Sequence, residues 1–351
     1  MNSLVTGWLS HNNFSYEKLE FLNAFCPTDI EWRYNVKEWE KLEKKLRTFI
    51  PMGYTLNHHH LYVHRTATDL INGLFDKHVD EETLIITSVV EHEAVEKNLA
   101  RLNRDGVDHI RLHYYNGIKS LNLSQVKQVI QNKSYKKAFV YIIGTQITTG
   151  EVTPQAFYVK LKEYLECQGI KTIMVTDDVH GMYLYPRDYS IFDYVVCTAH
   201  ALIRRWDMGL MWSKTEENFG LHCCHWLSGY IQRLDMILKS QSKLFQFSNV
   251  MEETFIQYLS LPYIEYMSNS VPHIFSIKVN ARPKLIYTPE EWKTLAGLEV
   301  RLETQNYEKD NIFYIRMRAS QYITFPGLLH PAIVKVRELL ERVINVKEEG
   351  L

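Results

Sequence analysis

Four short, nearly unbroken apolar runs constrain this chain more than any other feature of it. They are TLIITSVV (83–90), KAFVYIIG (137–144), TIMVTDD (172–178) and FDYVVCTA (192–199). A strand with one wet face would alternate apolar and polar residues, and these do not, so the sheet they build is covered on both faces. Between them lie helix patterns. AVEKNLARLNRDG (94–106) is amphipathic and closed by Gly106, and PQAFYVKLKEYLECQG (154–169) has Pro at its start and Gly at its end. An earlier strand end at 61–63 precedes a helix over 66–76. This alternation predicts an α/β fold with a mostly parallel sheet, and in such sheets ligands sit at the carboxyl ends of the strands.

A chain of 351 residues is long for one core. The pattern divides it into a large domain over 50–262 and a smaller α+β domain over 263–351, to which 1–49 adds an N-terminal helical arm. Residues 215–262 read as long helices, 273–280 and 312–320 as strands, and 331–346 as a closing helix. With 40 basic and 41 acidic residues, nothing advertises nucleic acid or an anionic membrane surface. No apolar run reaches the roughly 18–20 residues of a membrane span. The start, MNSLVTGWLSHNN, has neither the basic nor the apolar region of a signal peptide. Five cysteines without framework spacing point to a reduced, cytoplasmic protein. His58-His59-His60 reads as a polar loop before a strand, since three successive side chains cannot face one metal.

Polar clusters follow four of the strands. HRTATDLINGL (64–74) puts Thr66 and Thr68 at a helix start, where hydroxyls and free N–H groups suit a phosphate, although an ordinary Thr cap accounts for it equally. EHEAV (91–95) places His92 after a strand. In TDDVHGM (176–182), Asp177 and His180 end a very apolar strand, where a carboxylate calls for a cationic partner; a helix cap at Asp177 or Asp178 is the plainer alternative. CTAHALIRRWDMG (197–209) holds His200. No G-x-G-x-x-G follows the first strand, which disfavours a dinucleotide site.

In this order the clusters resemble the fold-type I pyridoxal-phosphate enzymes, in the branch of the class V aminotransferases and cysteine desulfurases, over residues 55 to 345. Arg65-Thr66-Ala67-Thr68-Asp69-Leu70-Ile71-Asn72 is similar to the family's RGTTEAIN phosphate turn, which makes Thr66, Ala67 and above all Thr68 phosphate contacts. Glu91-His92-Glu93-Ala94-Val95 is similar to EH-x-A-V, whose His stacks on the pyridine ring. Asp177 takes the place of the acid that pairs with the pyridine nitrogen and keeps it protonated, and His180 that of the contact to the phenolic oxygen. Thr198-Ala199-His200-Ala201-Leu202 runs along S-x-H-K-L, with Thr198 and His200 at phosphate-contact positions and Gly209 on a later family glycine. Arg318-Ala319-Ser320 resembles the segment whose Arg binds the substrate carboxylate. The resemblance implies pyridoxal 5′-phosphate as cofactor, an amino-acid substrate, a homodimer, and transamination or lyase-type chemistry at Cα or Cβ. An Arg318 clamp on the carboxylate disfavours decarboxylation.

The chain departs from the family at three places. Ala201 stands where the family has its Schiff-base lysine. Three readings are open: an engineered Lys→Ala change that traps an adduct, a lysine-independent enzyme using His200 or His180 as base, and an inactive binding module. The first is favoured because the other matched positions are intact, and Lys214 is not expected to replace the missing lysine. Ile147 falls on the family's Asn, with Gln146 or Thr148 as stand-ins. No Cys follows Cys224, so transfer through a persulfide on the small domain is not expected. The turn 203–208 (IRRWDM) is bulky and basic, shaping the pocket or reaching a partner subunit's phosphate, or else a plain surface charge pair. The chain is short for the family, which fits an open site for a large or carrier-bound substrate.

Overall fold

The computed structural model describes residues 40–41, 43–64, 66–112, 114–115, 120–121, 123–146, 150–198, 209–215, 250, 252–254, 256–261, 264–267, 274–279, 301–303, 313–318 and 329–345. Its centre is a seven-stranded sheet. In chain order the strands are β1 (His60–His64), β2 (Thr83–Ser88), β3 (His109–Leu112), β6 (Lys137–Ile143), β7 (Lys171–Asp177), β8 (Tyr194–Thr198) and β9 (Gly209–Ser213), and in space they run β1-β9-β8-β7-β6-β2-β3. A two-stranded ribbon, β4 (Tyr114–Tyr115) with β5 (Ser120–Leu121), lies between β3 and β6 in sequence. From β8 to β3 every pairing is parallel, whereas β9 runs antiparallel to both its neighbours. Every residue of β2, β8 and β9 is buried, which is the physical content of the unbroken apolar runs.

The helices are α1 (Ala67–His78), α2 (Glu93–Arg104), α3 (Ser124–Asn132) and α4 (Gln155–Cys167). Leu70, Leu74 and Phe75 of α1 and Val95 and Leu99 of α2 pack with Tyr62, Ile85, Tyr141, Val175 and Val196 from one face of the sheet. On the other face, the Tyr158 hydroxyl of α4 reaches Thr176 Oγ1 at 3.3 Å, and its ring meets Phe192 edge-on at 4.7 Å. The glycines read as helix stops act as such. Gly106 and Gly169 have φ of 79° and 74°, and behind each the chain closes a pair of bonds on the last turn: Gly106 N to Asn103 O with Val107 N to Leu102 O, and Gly169 N to Glu166 O with Ile170 N to Leu165 O.

Among the elements before residue 215, α3, β3, the ribbon β4–β5 and β9 were not foreseen; the β9 segment begins in what reads as a turn and continues as Leu210-Met211-Trp212. The triple-His segment is a correction in part: His60 opens β1, and His59 is buried with Nε2 2.9 Å from Phe192 O. Burial lowers the pKa of His59 to about 4. The helical stretch before Pro51 lies against this edge of the sheet, where Arg47 donates to His59 O at 2.6 Å and stands over the Trp212 ring.

The C-terminal region is an antiparallel sheet, β10 (Ile264–Met267), β11 (Ile274–Val279), β12 (Arg301–Glu303) and β13 (Phe313–Arg318), in the order β10-β11-β13-β12, followed by α5 (Leu329–Asn345). This is the expected strand-and-helix content of an α+β unit, with β10 and β12 added. Most of the helical expectation over 215–262 lies outside the described residues.

Candidate functional site

The carboxyl ends of β6, β7 and β8 bring Gln146, Asp177, His180 and Thr198 to one end of the sheet. The amino ends of α1 and α2 open at the same end, with Thr66, Ala67 and Thr68 on one and His92 on the other. Gly209 explains how close α1 comes. It pairs with Thr198 and His64, and a Cβ on it would lie 2.4 Å from the Thr66 carbonyl and Ala67 N. Only a residue without a side chain lets β9 pass beneath the first turn of α1.

That first turn is capped as the plainer reading has it. Thr66 Oγ1 accepts from Asp69 N at 3.1 Å and donates to Asp69 Oδ2 at 2.8 Å. His64 Nδ1 lies 3.2 Å from the same carboxylate. Thr66 is therefore occupied by the cap, and Thr68 is the exposed hydroxyl of the turn. His92 caps α2, its Nδ1 accepting from Ala94 N at 3.1 Å while the ring stays exposed.

Asp177 and Asp178 are adjacent, buried and treated in opposite ways. Asp178 has a cation: Arg187 Nε stands 3.1 Å from Oδ2, Tyr189 donates to the same oxygen at 2.7 Å, and Thr145 donates to Oδ1 at 3.0 Å. The rest of the Arg187 guanidinium bonds Thr153 O at 3.0 Å and Gly144 O at 2.8 Å. Among the described residues Asp177 accepts only from neutral donors, the Tyr141 hydroxyl at 3.0 Å and Val179 N at 3.3 Å. Among the described residues it forms no ion pair within 4.0 Å. Burial raises its pKa, and the largest opposing influence is the charge of His92. Such a carboxylate is stabilised by a cation brought from outside.

Thr198 is buried, and its Oγ1 has no hydrogen-bond partner among the described residues. A buried acid lacking a cation, a buried hydroxyl lacking a partner and an exposed helix start fit an aromatic cation that carries a phosphate. Gln146 is buried just beyond β6, and Thr148 and Ile147 lie outside the described residues. So do His200 and Ala201, and with them the turn 203–208. Arg318 ends β13 opposite Ile274, and its side chain lies outside the described residues. Lys214 follows Ser213, which pairs with Tyr194 at the opposite end of the sheet, and its N–H bonds Asp193 O at 3.0 Å. The antiparallel course of β9 thus carries this lysine away from the site.

Sequence reasoning missed Arg187 and Glu91. Arg187 sits in the aromatic turn MYLYPRDYS (182–190), where an interior arginine leaves no periodic signal. Glu91 was read only as part of the motif around His92, yet its Oε1 accepts from Ile143 N at 3.1 Å and ties β2 to β6.

No family profile and no curated protein sequence matches the chain. Solved structures do. One, a NifS-like protein from Rickettsia africae ESF-5, superimposes with a TM-score of 0.66 at 13% identity over 88% of this chain and 89% of its own. Another, also titled a NifS-like protein, gives 0.64 at 14% identity over 88% of each chain. At such identity the likeness concerns the backbone, and over most of its length this chain has the fold of those proteins, the α/β architecture of fold type I.

Proposed function

We propose that this chain is built to hold pyridoxal 5′-phosphate and to act on an amino-acid substrate, by transamination or lyase-type chemistry at Cα or Cβ, and that with Ala201 in the lysine position it is impaired in that reaction. The observation that carries the reading is Asp177: a buried carboxylate, at the end of the central strand, that accepts neutral donors and pairs with no described cation. The cofactor supplies an electron sink when bound, and it does so best with its ring nitrogen protonated. Asp177 would hold that proton in place. His92 would lie over the ring, Thr68 and the backbone N–H groups of Thr66 and Ala67 at the first turn of α1, with Thr198 and His200, would receive the phosphate, Gln146 and His180 would take the phenolic oxygen, and Arg318 the substrate carboxylate. His180 and His200 are the bases left to move a proton at the substrate carbon. The division into a large domain over 50–262 and a smaller one with 1–49 and 263–351 belongs to the same reading, as do a homodimer, a cytoplasmic setting and a site open to carrier-bound substrates. No described helix is long and apolar enough to cross a membrane. Transfer of sulfur is left out because no cysteine follows Cys224.

A second reading has one observation in its favour. Among the described residues no lysine stands at the carboxyl ends of β6, β7 and β8, and Lys214 is at the far end, so nothing described replaces the residue missing at Ala201. The chain would then be a lysine-independent enzyme or a binding module. A visible absorption spectrum with added pyridoxal phosphate, taken on this chain and on Ala201→Lys, separates the two. A Schiff-base band in Ala201→Lys that amino acids shift supports the enzyme and explains the chain as a trapped form. Binding of the cofactor to both chains, without a response to amino acids in either, supports the module. No binding by either chain overturns the cofactor.

A further inference from the structure

Glu91 is an acid in an unusual setting. Its Oε1 accepts three hydrogen bonds, from Ser88 N at 3.0 Å, from Ser88 Oγ at 2.5 Å and from Ile143 N at 3.1 Å. Two of these come from the end of β2 and one from the end of β6, and Ile143 is the residue in register with Asp177 on β7. Oε2 is buried and has no hydrogen-bond partner among the described residues. With no ion pair among the described residues, a carboxylate that leaves one buried oxygen unpartnered is costly, and a proton on that oxygen removes the charge. Burial raises its pKa to about 8, against the pull of the Ser88 and Ile143 donors, and the charge acting on it most is the negative one of Asp177. The other ionisable groups around it are Tyr141 from β6 and Tyr158 from α4, both pushed upward by burial and so neutral, with His92 of the next position acting on Asp177.

We propose that Glu91 and Asp177 are a proton-linked pair: Glu91 keeps its proton while Asp177 has no cation beside it, and the arrival of a protonated ring nitrogen at Asp177 sends the proton on Glu91 Oε2 to bulk water. The proposal rests on the reading of Asp177 as the partner of a pyridinium. A cation seated on Asp177 cancels the field that holds the Glu91 proton, and between groups one strand apart in a dry interior that field amounts to about one pKa unit or more. The site then exchanges one positive charge for another, and the buried cluster keeps its net charge. Tying β2 to β6 is a separate duty that a glutamine at the position would still perform, since its carbonyl oxygen can accept the same three bonds.

The full-length chain and Glu91→Gln are titrated with pyridoxamine 5′-phosphate by calorimetry, in two buffers of different ionisation enthalpy, from about pH 6 to about pH 9. The parent is expected to release protons on binding beyond those released by Glu91→Gln, and its affinity relative to that variant is expected to rise about tenfold over this range. Equal proton counts and equal pH slopes overturn the proposal. The infrared carbonyl band of a protonated carboxyl gives a reading on the parent alone: it is expected in the unbound chain and lost on binding, and its absence from the unbound chain is equally fatal. If neither chain binds the ligand, the reading of the site has failed and the linkage with it. That outcome is distinct from the loss of linkage alone, in which both chains bind with the same pH dependence.

Discussion

At the amino ends of the parallel strands, charge is met with water. Lys137 pairs with Asp80, Lys136 with Glu82 and Lys133 with Asp108, and in each pair at least one side chain is more than half exposed. At the carboxyl ends, Asp177, Asp178 and Arg187 are inside the protein, with Asp178 at 0% and Arg187 at 2% exposure. Solvated pairs contribute little because water already stabilises each partner. Buried charge is costly, and it persists where surrounding groups satisfy it or where it serves a ligand. The same contrast recurs within the buried end. Asp178 is completed by Arg187, and Asp177 has no ion pair among the described residues.

This contrast is open to experiment, beginning with its largest consequence. Arg187→Ala leaves Asp178 buried and uncompensated, and chemical denaturation is expected to show a loss of about 3–5 kcal/mol. A loss below 1 kcal/mol, about that of a surface pair, would erase the distinction between the two ends. Asp177→Asn acts differently. It removes a buried charge that has no ion pair among the described residues, so the unbound protein should be no less stable, while affinity for pyridoxal phosphate falls by about 2 kcal/mol, or roughly thirtyfold. Destabilisation of the unbound Asp177→Asn chain as severe as that of Arg187→Ala would mean that Asp177 is as structural as its neighbour. Lys137→Ala, at the solvated end, should change stability by no more than about 0.5 kcal/mol in the same measurement. A larger loss would show that this rim is more than a solvated border.

Much of the sheet was legible because burial on both faces forces an unbroken apolar run, and the runs at 83–90, 137–144, 172–178 and 192–199 each coincide with a strand to within a few residues. The helix ends were legible because a left-handed turn favours glycine, as at Gly106 and Gly169. Asp177 could be found from its place at the end of such a run. Its lack of an ion pair among the described residues could not, since that depends on Arg187 choosing Asp178 across a turn. β9 was missed because the pattern read from 203 to 208 is that of a turn, although GLMWS is itself an apolar run opened by a glycine. Thr66 shows the limit of motif reading. A cap and a phosphate contact ask for the same residue at the same place, and the structure shows the cap.

The insertion of β9 between β1 and β8 has a consequence for assembly. Leu61 and Trp212 are registered partners although about 150 residues separate them in the chain. During synthesis β1 emerges first of the seven strands, and its partner among the described strands, β9, is the last of the seven to appear. The wall formed where Gly209 passes under Thr66 therefore exists only once the sheet has closed. A ligand seated against that wall recognises the finished domain alone, and by mass action it holds the first and last strands of the sheet together as one cooperative unit.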